Sequence, residues 1–239
     1  VLEWAVRAPL YEDAWILAFD KPSGLNTAPL PSGGGPDLLT EVVSSRPEVS
    51  RAGGRKPWEP GLVHRLDRGT SGVVLFARGE AAMTALLGLQ EGDALVKEYL
   101  ALCVPDGRGV EGSRPLRGEA DPSGAIRSRF RPYGPKGARV AAMGEPVPWP
   151  GRLYETRIIE RTQAEGRVSV RAALTRGYRH QVRAHLAWTG TPIMGDALYG
   201  GPEAERLMLH AFAVEFIHPF TGESLRIECP PPPGFGRAA

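Results

Sequence analysis

The chain has 239 residues, 42% of them hydrophobic and 23% charged, enough to bury a core in one large domain or two small ones. No apolar run approaches the roughly 18 residues that span a bilayer, and the first ten residues lack the charged head and long apolar stretch of a secretion signal. Two cysteines, Cys103 and Cys229, make neither a disulfide framework nor a four-cysteine zinc site. The net charge of +2 conceals two biases. Of 29 basic residues, 25 are arginine and four are lysine, and residues 46–185 carry +9 between acidic ends of −4 and −3. Arginine presents a planar fork suited to phosphates and base edges, and a basic middle suggests an anionic partner.

In chain order, residues 11–20 read as a strand ended by Pro22 and Gly24. Residues 29–36 are a Gly- and Pro-rich loop, 37–45 a short helix with Asp37 in its first turn, and 50–60 a basic loop. Val73, Val74, Leu75, Phe76 and Ala77 form a short apolar run typical of a buried strand. Residues 80–89 place Ala82, Leu86 and Leu89 on one helical face, and 94–104 fit a strand. Residues 105–150 are rich in Gly, Pro and Arg, with a short strand expected around 125–130. Residues 152–161 and 167–175 read as paired strands around the Ala164-Glu165-Gly166 turn, the second with period-2 alternation. A helix is expected over 179–188, closed by Gly190, and late strands over 207–217 and 224–229. Strands dominate, no GxGxxG follows one, and helix–strand alternation is irregular. The expectation is an α+β fold with a mixed, largely antiparallel sheet, a few helices and long loops framing a central cleft.

The densest chemistry lies in residues 61–78, GLVHRLDRGTSGVVLFAR. Asp67 is the only acid there, flanked by Arg65 and Arg68 and followed by Thr70, Ser71 and Gly72. Read by itself, Asp67 is either a turn residue accepting backbone N–H bonds or a carboxylate kept ionised by guanidinium groups for use as a nucleophile or base.

The whole string settles that choice by resemblance. His64-Arg65-Leu66-Asp67 followed by Thr70-Ser71-Gly72 resembles the signature of the RluA-type pseudouridine synthases. The likeness extends to Asp20-Lys21-Pro22-Ser23-Gly24, to Lys97-Glu98-Tyr99 and to His180-Gln181-Val182-Arg183-Ala184-His185-Leu186. It continues through the PIMGDALYG segment at 192–200, Leu209-His210-Ala211, and His218-Pro219 with Thr221-Gly222-Glu223, and covers residues 11 to 230. Two departures stand out. Tyr178-Arg179 precedes the His-Gln pair where the family has Arg-Thr, and residues 105–150 have little counterpart.

The resemblance implies a single catalytic pseudouridine synthase domain over residues 1–239, with no N-terminal S4-type RNA-binding domain. It implies a cofactor-free, metal-free isomerase that converts specific uridines of ribosomal or transfer RNA to pseudouridine. Asp67 takes the place of the essential carboxylate. Arg183 matches the arginine that pairs with it, Tyr99 the active-site aromatic that meets the uracil, and Arg65 the arginine that fills the gap left by the flipped base. His64, Thr70 and Arg179 join Arg65, Tyr99 and Arg183 as expected substrate-binding residues, with His64 shaping the loop rather than transferring protons. Arg179 is expected at i, i+4 from Arg183 on one helix face. The expected partner is RNA, with no DNA and no membrane, and the expected state a cytoplasmic monomer. The alternative is a non-catalytic RNA-binding protein or RNA chaperone on the same fold. His180 and His185, five residues apart on a helix, cannot share a metal in the i, i+4 manner.

Overall fold

The computed structural model describes residues 8–30, 33, 35–105, 124–144 and 149–235. They divide into two compact units, one from Val1–Val96 and Ala211–Pro230 and one from Lys97–His210 and Pro231–Ala239. Ten strands, three α-helices and two short 3₁₀ helices make up the regular structure of the described residues.

The first unit opens with β1 (Tyr11–Glu12) and β2 (Ile16–Lys21), where the sequence predicts a single strand. Asp13 divides them: its Oδ1 accepts the Trp15 and Ile16 amides, each at 2.7 Å, and this side-chain turn replaces the ladder. β2 pairs antiparallel with β3 (Ser71–Ala77) in the register Ile16↔Ala77 to Lys21↔Gly72. β9 (Leu209–Ile217) follows β3 in the sheet order, and β10 (Ser224–Glu228) pairs antiparallel with β9. α1 (Leu38–Ser45) is capped by Asp37, whose carboxylate accepts the Thr40 amide at 2.8 Å, an N-cap bond at an otherwise orphaned donor. α2 (Glu80–Glu91) buries Ala82, Met83 and Leu86 against Ile16, Val73, Leu75, Val214 and Phe216.

The second unit is a sheet in the order β4 (Val96–Cys103), β8 (Arg167–Leu174), β7 (Tyr154–Ala164), β5 (Ala125–Tyr133), β6 (Arg139–Met143). Each neighbouring pair in that order runs antiparallel. The β7–β8 hairpin closes on Glu165 (φ 51°) and Gly166 (φ 72°) with Ala164 opposite Arg167. Two successive left-handed residues give the turn that matches strand twist. β5 runs to Tyr133, nine residues rather than the short strand expected. Residues 106–123 and 145–148, within the stretch that the family likeness does not reach, lie outside the described residues. α3 (Gln181–Trp188) packs beside an aromatic cluster of Phe130, Tyr154, Tyr178, Trp188 and Tyr199.

The expected start of the last helix is corrected. It begins at Gln181, because His180 stands at the N-cap with φ 57°, a left-handed conformation that a helix interior does not hold. Arg179 is therefore outside the helix and does not share a face with Arg183. No described helix is long and apolar enough to cross a membrane.

Candidate active site

Asp67 lies on a half-turn of chain that is fastened on both sides. Before it, the chain runs back along β3, with the Val63 amide on Leu75 O (3.1 Å) and the Ala77 amide on Gly61 O (2.7 Å). His64 Nε2 accepts the Leu75 amide at 3.3 Å, so this histidine shapes the entry to the loop. After Asp67, the Thr70 amide donates to the Asp67 carbonyl at 3.0 Å and Thr70 is buried. Asp67 itself is half-buried.

Residues 21–27, which contain most of the DKPSG element, form the clamp. Thr27 is buried; its hydroxyl donates to Leu66 O (2.7 Å) and accepts the Leu66 amide (3.1 Å). Lys21 is fully buried, and its ammonium donates to Pro22 O (2.9 Å), Leu25 O (2.7 Å) and Arg68 O (3.3 Å). Three donors meet three carbonyls, the condition for holding a charge away from water. Ser23 Oγ donates to Gly69 O at 2.7 Å. The Gly24 amide donates to Arg68 O at 2.7 Å, and Arg68 Nε donates back to Gly24 O at 2.9 Å. Both chain neighbours of Asp67 are thus fixed through their backbones. The loop ends at Gly72, φ 114°, where a Cβ would collide with the carbonyl oxygen of Ala211. Only glycine permits that approach.

Arg65 is exposed and held at its Nη1 by Glu59 Oε1 at 3.0 Å; the same oxygen takes Lys56 at 3.2 Å. Glu59 is buried to 6% side-chain exposure, so it steadies two cations from below. The motifs do not signal this buried acid.

In the second unit, Tyr99 on β4 is buried and faces Ala172 across the ladder. Ala172 in turn faces Ile158, and period-2 alternation puts Thr156 on that same side. α3 covers this side. Gln181 Nε2 donates to Glu155 O (2.8 Å) and Thr156 Oγ1 (3.1 Å). His185 is fully buried between Thr156 Oγ1 and Ser128 Oγ, each 2.8 Å from a ring nitrogen. Burial pushes the His185 pKa down to about 3, so at neutral pH it is an uncharged strut and not a proton carrier.

Arg183 is buried and forked onto Asp196: Nε to Oδ2 and Nη2 to Oδ1, both 2.7 Å. Tyr199 lies under it, with the guanidinium carbon 5.3 Å from the ring centroid. The Tyr199 hydroxyl accepts the Val140 amide (2.9 Å) and meets His180 Nδ1 at 3.1 Å. Burial pushes its pKa up. Asp196 and Tyr199 both belong to the PIMGDALYG segment, whose likeness is legible in the sequence while its task is not. The fork uses two of the five guanidinium donors. Arg179 turns elsewhere, its Nη2 donating to the carbonyls of Gly137 and Arg139. Tyr178 stacks on Phe130 (centroids 5.0 Å apart, planes 9° from parallel) and is a packing residue here. Among the described residues no three His, Cys, Asp or Glu side chains gather as a metal site.

The model of the RNA pseudouridylate synthase family matches residues 16–188, from β2 to the end of α3. The chain belongs to this family. Among the relatives of this RNA pseudouridylate synthase family member is ribosomal large subunit pseudouridine synthase D of Xanthomonas campestris pv. campestris, 32% identical over 241 residues, 93% of this chain and 65% of that protein. Ribosomal large subunit pseudouridine synthase C of Escherichia coli is 33% identical over 243 residues, covering 95% and 67%. The same-named protein of Yersinia pestis is 32% identical, covering 92% and 64%. The chain thus spans about two thirds of the length of these curated relatives. The likeness to these proteins places it in the RluA-type branch.

Two solved human structures share the fold. RNA pseudouridylate synthase domain containing 4 superimposes with TM-score 0.66 at 19% identity, over 96% of this chain and 90% of that one. Domain containing 1 gives 0.65 at 21%, over 94% and 83%. The expected α+β pseudouridine synthase fold is thereby shown.

Proposed function

We propose that the chain is an RNA pseudouridine synthase acting on specific uridines of structured ribosomal or transfer RNA, with Asp67 as its essential carboxylate. The observation that carries the reading is the clamped loop: Leu66 and Arg68 are fixed through their backbones, so the stretch of chain that carries Asp67 is preorganised. The relatives' names favour large-subunit ribosomal RNA within that range.

The reaction breaks the C1′–N1 bond of uridine, turns the base, forms C1′–C5, and moves the C5 proton away while N1 gains one. It is an isomerisation and consumes no electrons. Asp67 attacks C1′, or takes the proton whose loss yields a glycal. Tyr99 offers an aromatic face to the uracil and a phenol near C5. Arg183, fixed by Asp196 and Tyr199, supplies a guanidinium of set orientation. The target base leaves its stack at a cost of a few kcal/mol, and Arg65, steadied by Glu59, is placed to fill the gap. His64 and Thr70 hold the loop's shape, and Arg179 reaches the strand-β6 turn, where it contributes to RNA contact. The protein acts as a cytoplasmic monomer without cofactor.

The test is tritium release from bulk RNA labelled at uridine C5. Wild type is expected to release tritium and Asp67→Asn to release none. Release equal to the Asp67→Asn background on every RNA tried overturns the assignment.

A further inference from the structure

The reverse side of the second unit's sheet, away from Tyr99 and α3, carries a charge pattern that the proposed chemistry does not use. On β5 every second residue from 127 to 131 is arginine: Arg127 and Arg131 are exposed and Arg129 half-exposed, while Ile126, Ser128 and Phe130 between them are buried. The register extends the pattern to neighbouring strands. Arg139 on β6 faces Tyr133, and Arg157 on β7 faces Ala125. Glu160 faces Arg171 on β8, and Ala164 faces Arg167. Among the described residues this face holds seven arginines against three glutamates, Glu98, Glu155 and Glu160. The acids do not match the cations one for one: Glu155 is shared by Arg127 (2.8 Å) and Arg157 (3.2 Å), and Glu98 takes Arg171 (2.7 Å).

Such an arrangement does little for folding. Exposed ion pairs contribute at most about 1 kcal/mol each, and like charges at neighbouring positions on one sheet face oppose it. We infer that this face is a second RNA-binding surface, for the phosphate backbone of a double-helical segment of the same RNA that presents the target uridine. The inference takes the substrate class from the proposed function and adds a surface to it. Duplex is favoured over single strand because the aromatic rings here are not open platforms for bases. Trp149 lies under Arg131 at 5.6 Å and Tyr133 under Arg139 at 5.8 Å. Forked guanidinium groups on a sheet face address phosphates and read no sequence.

The test uses the full chain, an RNA duplex of about 16 base pairs or more, and fluorescence anisotropy across about 50 to 200 mM salt. The triple variant Arg127→Gln/Arg129→Gln/Arg131→Gln is expected to bind at least tenfold more weakly. Its slope of log affinity against log salt should be shallower by about 1 for each phosphate interaction removed. The matching triple lysine variant is expected to keep most of the slope, since a phosphate accepts a point charge. If the glutamine triple fails to melt cooperatively, Arg157→Gln/Arg167→Gln reads the same face from the other hairpin. Unchanged affinity and slope in the folded glutamine variants overturn the inference. So does polyglutamate displacing the duplex at equal charge concentration, which would assign the face to an acidic protein. Tritium release by wild type separates the two readings. Release with no binding defect in the variants sinks the surface alone. A binding defect without release on any RNA sinks the isomerase reading and leaves the surface standing.

Discussion

Arg183 and Asp196 meet through two parallel bonds of 2.7 Å with both side chains buried. They stand 13 positions apart in the chain, yet the carboxylate fixes the plane of the guanidinium. Asp196→Ala leaves a buried cation without this partner, and breaking such a pair costs about 3–5 kcal/mol. Urea unfolding should show a loss of that order. Asp196→Asn, which keeps the shape, should cost less stability than Asp196→Ala while still depressing kcat for tritium release. Unchanged kcat in a folded Asp196→Asn protein would mean that Arg183's orientation does not matter to turnover.

Thr27 closes a reciprocal pair of bonds on Leu66. Thr27→Val is isosteric and removes both, stranding a buried amide and a buried carbonyl beside Asp67. The expected destabilisation is about 1–3 kcal/mol. Thr27→Ser keeps the hydroxyl and should recover most of it. Paired urea titrations and single-turnover rates check both halves. A rate loss in Thr27→Val that exceeds the stability loss, with recovery in Thr27→Ser, identifies the clamp as a positioning device.

His185 makes stability depend on pH in a definite direction. Its folded pKa of about 3 lies below the ordinary value of 6.5, because burial excludes the charged form. Above that ordinary value both folded and unfolded states hold it neutral and nothing changes. As pH falls below it, the unfolded chain takes up a proton that the native state refuses, so stability drops by up to about 1.4 kcal/mol per pH unit. That amounts to about 2 kcal/mol by pH 5 from this residue alone. His185→Gln should flatten this part of the profile in denaturation curves collected from pH 7 to pH 5. An equal slope in the variant would show that other groups govern it.

Gly72→Ala meets two obstacles at once, a φ of 114° and the Ala211 carbonyl in the space of the new methyl. Since β3 or β9 must shift to relieve it, the loss should exceed the roughly 1–2 kcal/mol of left-handed strain. Thermal melting checks the size of the effect.

Strand and helix positions are largely legible in the sequence because burial alternates with the right period, as in Val168, Val170, Ala172 and Leu174. The split at Asp13 is not, since one side chain taking two amides leaves no trace in hydrophobic pattern. The helix boundary at His180 escapes for a related reason. A non-glycine residue at positive φ carries no compositional mark, and the expected Arg179–Arg183 face falls with it. The motif string leads directly to Asp67, while the tasks of Thr27, Glu59 and Asp196 emerge only in three dimensions. Each works by contact across 6 to 39 residues of sequence, and such pairings are invisible to spacing. The basic middle can be counted from the sequence. That seven of its arginines alternate onto one side of a sheet depends on the register of four strands.

Lys21 and Ser23 grip carbonyl oxygens, which every amino acid carries. Their hold on positions 68 and 69 is therefore indifferent to which side chains stand there. Replacing the Arg68 side chain would remove its own bond to Gly24 O but leave the grip of Lys21 and Ser23 on the backbone. Side-chain change at position 68 and the placing of the Asp67 backbone are, in this clamp, largely separable.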